Sequence, residues 1–129
     1  MPKYLIHHHL ARREHWDLRL EVDGVLKSWA VPKEPSMDPK IKRLAVLVED
    51  HALEYGDFEG TIPAGQYGAG EVKIWDAGSY ENLRSLPMAE ALGQGQVEVR
   101  LEGKRLQGAF ALIRFKGKAK DWLFFKMKD

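Results

Sequence analysis

The chain contains no cysteine, which removes thiolate metal sites, cysteine nucleophiles and a disulfide framework from consideration. Any metal must then rest on imidazole and carboxylate, which points to manganese, zinc or iron. Apolar runs long enough to span a bilayer are missing, and so is a charged-then-apolar leader at the N-terminus. The expectation is a cytoplasmic protein with no membrane partner. Internal repeats, low-complexity tracts and Ser/Pro-rich linkers are absent too, so residues 1–129 read as a single domain. A chain of 129 residues can bury one hydrophobic core without staples, and a metal is therefore read as catalytic before structural.

Excess charge of either sign is also lacking: 20 Lys and Arg against 19 Asp and Glu leave a formal +1. The balance changes once it is divided along the chain. From Arg100 to Asp129 nine basic residues stand against three acidic ones, which gives +6 and leaves −5 for residues 1–99. Such a block suits a phosphate backbone, and equally a solvated face of strands.

What is present is mostly the pattern of short strands. From His15 to Asp23 the odd positions are polar (His15, Asp17, Arg19, Glu21, Asp23) and the even ones apolar (Trp16, Leu18, Leu20, Val22). Asp23-Gly24 follows as a two-residue hairpin turn. Pairing across it sets Val25, Trp29 and Val31 on the apolar face, and only Leu26, Ser28 and Ala30 opposite the polar one. Small residues there leave room above Asp17 and Arg19.

Pro32, Pro35 and Pro39 mark a loop with room for one helical turn, before a strand Arg43 to Glu49. Asp57 to Gly70 is too glycine-rich for a helix and leads into a strand Glu71 to Trp75; bulges and tight barrel corners explain glycine there. Ser85 to Leu92 is the best helix, with Ser85 as its cap and Gly93 as its end. Strands near 96–102, 105–115 and 121–127 complete the chain. Trp16, Trp29, Trp75 and Trp122 read as core. The fold class expected is mainly β: a small closed or nearly closed antiparallel β-barrel with one or two short helices.

Four of the five histidines (His7, His8, His9 and His15) lie in the first fifteen residues, close to Asp17. Alternate residues of a strand point the same way, so His15 and Asp17 offer an imidazole and a carboxylate to one point. His9 can join them if the polar stretch Ala11 to Glu14 turns the chain. Two imidazoles and one carboxylate leave coordination positions open, as a catalytic metal requires, although a solvent-facing histidine cluster has the same spacing. Arg19 shares this face. A guanidinium beside a cation makes sense when an anion such as phosphate lies between them, and otherwise reads as a salt bridge to Glu21 or Asp17. Alternation aligns Arg43 with His51 if their strand runs that far. His51 can then protonate a leaving oxygen or bond a phosphoryl oxygen. His51 and Tyr55 are also common in purely structural roles.

The order of these residues resembles the 3′-phosphoesterase domain of bacterial DNA ligase D repair proteins, also found free-standing in bacteria and archaea. The matching runs are His9, His15 to Glu21, Asp23 to Lys33, Arg43 to Val46, Val48 to His51, Asp57 to Gly60, Ile62-Pro63, Gly65 to Gly70, Trp122-Leu123 and Lys126. The resemblance implies a manganese-dependent enzyme, with zinc or cobalt as substitutes. It removes a 3′-terminal ribonucleoside and then the 3′-phosphate, leaving a 3′-hydroxyl. The implied metal ligands are His9, His15 and Asp17. Phosphate-contacting and acid roles fall on Arg19, Arg43, His51 and Tyr55, with Lys33, Glu49 and Lys126 as further substrate contacts. DNA or RNA/DNA 3′ ends are the implied partners, with a DNA ligase, a repair polymerase or a Ku-type end-binding protein alongside. Eight residues precede His9, whereas the family's ligase D domains carry a longer arm there that helps remove the terminal phosphate. His7 stands where many members carry an amide.

From the residues alone two other readings stay open. A non-haem iron oxygenase also builds its triad from two histidines and a carboxylate. A non-catalytic nucleic-acid or ligase-binding module would leave the histidines incidental.

Overall fold

Short antiparallel strands, each paired with its neighbours, close the sheet on itself. The computed structural model describes residues 1–128. In chain order it has β1 (Lys3–Leu10), β2 (His15–Val22), β3 (Val25–Val31), β4 (Arg43–Ala52), a 3₁₀ turn (Leu53–Asp57), β5 (Gly60–Ile62), β6 (Gly70–Asn82), α1 (Met88–Gln94), β7 (Gln96–Glu102), β8 (Gln107–Arg114) and β9 (Asp121–Lys126). The strands pair antiparallel in the order β1-β2-β3-β4-β9-β8-β7-β6, and β6 returns to pair with β1. Eight strands thus form a closed barrel with short β5 added on the edge of β6. Closure pairs the first strand with the last of the barrel, so neither is left as a free sheet edge.

The β2–β3 hairpin has the expected register, with Asp17 opposite Ala30, Arg19 opposite Ser28 and Leu18 opposite Trp29. Asp23 (φ 50°) and Gly24 (φ 86°) supply the two positive φ angles the turn needs. Trp16, Leu18, Leu20, Trp29, Val31, Phe110, Leu112, Trp122 and Phe124 point into the barrel and are buried there. Trp29 and Trp122 meet edge to face at 5.7 Å. Trp75 is only partly buried, with the Arg105 guanidinium over its ring. Buried Asp76 accepts hydrogen bonds from the Tyr4 hydroxyl and from the backbone N–H groups of Lys104, Arg105 and Leu106. It ties β1 and β6 to the turn after β7.

The opposite face of β1 to β3 points outward, yet it is not open to water. The 3₁₀ turn lies across it: a Cβ on Gly56 would meet Leu5 at 3.0 Å and Leu26 at 3.5 Å. Both faces of β1 are therefore buried, which hides this strand from any search for apolar-polar alternation.

Other elements depart from the sequence expectation. Residues 32–42 form turns and bends without a helical turn. β4 continues to Ala52, and its register against β3 shifts between the Ser28↔Val48 and Leu26↔His51 pairs. β6 runs on to Asn82, well past Trp75. The helix starts at Met88 with Pro87 as N-cap, and it ends at Gly95 (φ 74°), whose N–H meets the carbonyls of Ala91 and Leu92. Ser85 cannot begin it, because the proline ring at 87 disfavours helical backbone at Leu86 and the Asn82 amide holds the Leu86 carbonyl.

Candidate functional site

The outward face of β1 and β2 brings the predicted ligands together. His9 pairs across from His15, and His7 across from Asp17, so all four side chains leave the sheet on one side. The His9 Nδ1 to His15 Nε2 distance is 3.2 Å, His15 Nε2 to Asp17 Oδ2 is 3.2 Å, and His9 Nδ1 to Asp17 Oδ2 is 3.8 Å. Donors about 2.1 Å from a shared ion stand about 3.0 Å apart at right angles and about 3.4 Å apart at tetrahedral angles. Both His15 spacings fall in that range, and the His9–Asp17 spacing is a few tenths of an ångström wider.

Hydrogen bonds on the far side of each ring decide which nitrogen faces the centre. His9 Nε2 donates to the Gly68 carbonyl at 2.7 Å, and His15 Nδ1 donates to the Arg13 carbonyl at 2.9 Å. A carbonyl only accepts, so those nitrogens carry the hydrogens. The remaining nitrogens turn lone pairs toward each other and toward a carboxylate oxygen. Such an arrangement calls for a proton or a cation in the middle, and carbonyl-oriented imidazoles are usual around metals. Of the described residues, these three form the one group of His and acidic side chains close enough to share an ion.

Charge at the centre is already divided. Burial alone would raise the Asp17 carboxyl, but the His15 hydrogen bond and the nearby Arg19 guanidinium outweigh it and hold the group below its usual range. The Asp17 hydrogen bond raises His15 against its own burial. Arg19 is 3% exposed. Its Nε donates to His7 Nδ1 at 3.0 Å, Nη1 donates to Ser28 Oγ at 2.7 Å and lies 3.2 Å from His51 Nδ1, and Nη2 lies 3.5 Å from Asp17. The guanidinium also sits 5.0 Å above the Tyr55 ring. The salt bridge to Asp17 and the place beside a cation site thus occur together.

His9, His15, Asp17, Arg19, Glu49, His51 and Tyr55 line one cavity of about 700 Å³. His51 reaches it because of the irregularity in β4. Ala45 and Leu47 face the core. Without the shift, His51 would share their side of the strand, and with it His51 pairs outward opposite Leu26. The same shift parts His51 from Arg43, which keeps the phase of Ala45 and Leu47. Arg43 is not among the cavity's lining residues, and its Nε bonds the Glu34 carbonyl at 2.7 Å. Lys33 is exposed in the loop after β3. Lys126 is buried, with Nζ donating to the Met127 carbonyl. Neither lysine lines the cavity. Burial, then the Arg19 charge, lowers His51 and favours its neutral ring. Burial raises Tyr55 despite Arg19, which keeps its hydroxyl protonated and able to donate.

Three contributors escape a reading by residue type. His7 has no exposed surface; its Nε2 donates to the Phe58 carbonyl, and burial together with Arg19 pushes it down to about 4. It is a neutral acceptor that fixes the Arg19 fork. Ser28 is the second acceptor, and its position opposite Arg19 was the available signal. Gly68 acts through its backbone carbonyl, which no side-chain pattern reveals.

The family model for the DNA ligase D 3′-phosphoesterase domain matches residues 7–114. The chain is 50% identical over 129 residues to the multifunctional non-homologous end joining protein LigD of Pseudomonas aeruginosa. It is 48% identical over 132 residues to the protein of that name from Mycolicibacterium smegmatis. With the multifunctional non-homologous end joining DNA repair protein LigD of Mycobacterium tuberculosis it shares 47% identity over 126 residues. Each alignment covers 98% of this chain, which spans only 15%, 17% and 16% of those relatives respectively.

Proposed function

The chain belongs to the DNA ligase D 3′-phosphoesterase domain family, and on that footing we propose that it heals the 3′ ends of nucleic acid strands by metal-dependent hydrolysis. The proposed reaction cleaves the phosphodiester that holds a 3′-terminal ribonucleoside, then removes the remaining 3′-phosphate. The 3′-hydroxyl left behind would serve a DNA ligase or repair polymerase, with a Ku-type protein holding the end. One observation carries the reading: two oriented lone pairs and a carboxylate converge in the cavity that also holds the Arg19 guanidinium. A cation site adjoining an anion site suits a metal-bound phosphate ester.

His9, His15 and Asp17 would hold the ion, manganese first, with zinc or cobalt as substitutes. When bound, it would supply Lewis acidity and lower the pKa of a coordinated water. Arg19 would neutralise charge growing on the phosphoryl oxygens. Its Nε and Nη1 donate to His7 and Ser28 and its Nη2 leans on Asp17 at 3.5 Å, so at least one N–H of Nη2 remains for the substrate. Because those contacts fix the fork beforehand, little reorganisation is needed in the transition state. The Tyr55 hydroxyl would donate to a phosphoryl oxygen. The His51 ring, whose Nδ1 donates to the Glu49 carbonyl at 3.1 Å, would pass a proton to the departing oxygen once phosphate charge beside it raises its proton affinity. Glu49, at the rim, would meet the sugar. The turn after β8 holds Lys116, Lys118 and Lys120, and its Lys120 carbonyl accepts from Leu47 N–H, which sets this basic turn against β4. It is the stretch best placed to follow the strand backbone.

The test is a primer-template ending in one 3′-ribonucleotide, incubated with manganese. The expected product is a shortened strand that first carries a 3′-phosphate and then a 3′-hydroxyl. His15→Ala should give neither. No metal-dependent change at the 3′ end would refute the proposal.

A further inference from the structure

Tyr67 is an aromatic side chain with nothing to pack against. It is 98% exposed, an unusual state for a large ring, and yet it lines the same cavity as the metal candidates. No ring contact or side-chain hydrogen bond holds it among the described residues. Its backbone is nevertheless secured. Gly65 (φ 89°) and Gly68 (φ 75°) supply left-handed turns on either side, Gln66 N–H meets the Pro63 carbonyl, and Ala69 N–H meets the Gln66 carbonyl. The Gly68 carbonyl, one residue on, is the acceptor that orients His9. The loop therefore fixes a metal candidate with its backbone and holds a ring at the cavity mouth with its side chain. Ala11, Ala30, Val48, Ala52 and Ile62 add apolar surface to a wall that also carries the Asp50 carboxylate.

We infer that Tyr67 is a stacking platform for the nucleobase of the 3′-terminal nucleoside, the leaving group of the diester step. The inference rests on the proposed function and adds how the end is recognised. Three features point to this occupant. A flat ring with one free hydroxyl stacks on any base, which gives contact without sequence preference. The apolar part of the wall suits a base, whereas the phosphate has Arg19. The basic turn bearing Lys120 lies on the β4 side, so the retained strand has its own track there and the terminal base falls to the other side, where Tyr67 stands. Stacking would take the apolar faces of both the ring and the base out of water, which favours the contact.

The experiment compares KM for two primer-templates that differ only at the end: a 3′-terminal ribonucleoside, or the same ribose without its base. Wild type should favour the base-bearing end by about tenfold in KM. Tyr67→Ala should lose that preference, and Tyr67→Trp should keep it. A wild type that does not distinguish the two ends would overturn the inference. So would a Tyr67→Ala variant that retains the full preference, or one that loses activity equally on both ends through loosening of the Gly68 carbonyl. If wild type cleaved neither strand with metal present, the proposed function itself would fail and the stacking role would go with it.

Discussion

The two faces of the β1–β2 pair are made of the same strands and buried for opposite purposes. The inner face presents Ile6, Trp16, Leu18 and Leu20, whose neighbours are other apolar side chains of the barrel. The outer face presents His7, His9, Asp17 and Arg19, also buried, whose neighbours are carbonyls, a hydroxyl and one another. The inner face contributes stability by removing apolar surface from water. The outer one gains little from burial, since desolvating charged groups offsets most of what their pairing returns. What it has instead is groups held in fixed directions. Burial of polar residues in a network with every orientation set is the mark of a site, and substitutions should separate the two faces.

The largest effect is expected on the outer face. Asp17→Asn should lower metal-dependent 3′-end cleavage by at least about a hundredfold, more than a lost orienting partner costs, while circular dichroism and thermal midpoint stay close to wild type. The inner face should behave in reverse. Leu18→Ala should cost about 2–5 kcal/mol of unfolding free energy, and the activity per folded molecule should be preserved. Chemical denaturation beside the cleavage assay reads both. If Leu18→Ala harmed activity without harming stability, the contrast between the faces would be wrong.

His7 tests the outer network from beneath. His7→Leu leaves Arg19 Nε buried without an acceptor, for which about 1–3 kcal/mol of stability and roughly tenfold in activity are expected to be lost. His7→Gln restores an acceptor and should recover activity. The two variants also differ from wild type in acid. Folding holds His7 down at about 4, below the value of about 6.5 for a free imidazole, so the unfolded chain binds the extra proton between those limits. The contribution of the neutral ring is therefore complete above about pH 6.5 and fades as the pH falls toward 4, by about 3 kcal/mol in all. Urea titrations of wild type and His7→Gln at several pH values should diverge in that window. Parallel curves would show that His7 is not buried as a neutral group.

The smallest effect concerns the basic turn after β8. Changing Lys118 to Gln should weaken binding of a primer-template only a few-fold, and should lower the slope of log affinity against log salt by about 1. An unchanged slope would make this turn a solvated face.

How much of this was legible beforehand depended on whether alternation survived. β2 and β3 were readable because Trp16 to Val22 alternates strictly and Asp23-Gly24 names its own turn. The closed antiparallel barrel followed from the number of such strands. β1 was not readable, since His7 and His9 are buried along with Ile6 and the usual contrast between faces disappears. The start of α1 was misplaced because Ser85 looked like a cap, while Pro87 two residues on controlled the backbone before it. In the site, His15 and Asp17 came from strand geometry alone. His9 and His51 did not: one depends on how β1 pairs, the other on a shift of register inside β4 that no composition discloses. That same shift is why Arg43, expected beside His51, lies elsewhere. The carbonyls of Arg13 and Gly68, which orient the imidazoles, belong to the backbone and left no trace in residue type.

The central claim is that His9, His15 and Asp17 together hold one divalent ion. Electron paramagnetic resonance of added manganese distinguishes free from bound ion and tests it directly. Wild type should take up one manganese per chain, and His15→Ala, though folded, should leave the free-ion signal undiminished. Equal uptake by both proteins would contradict the account.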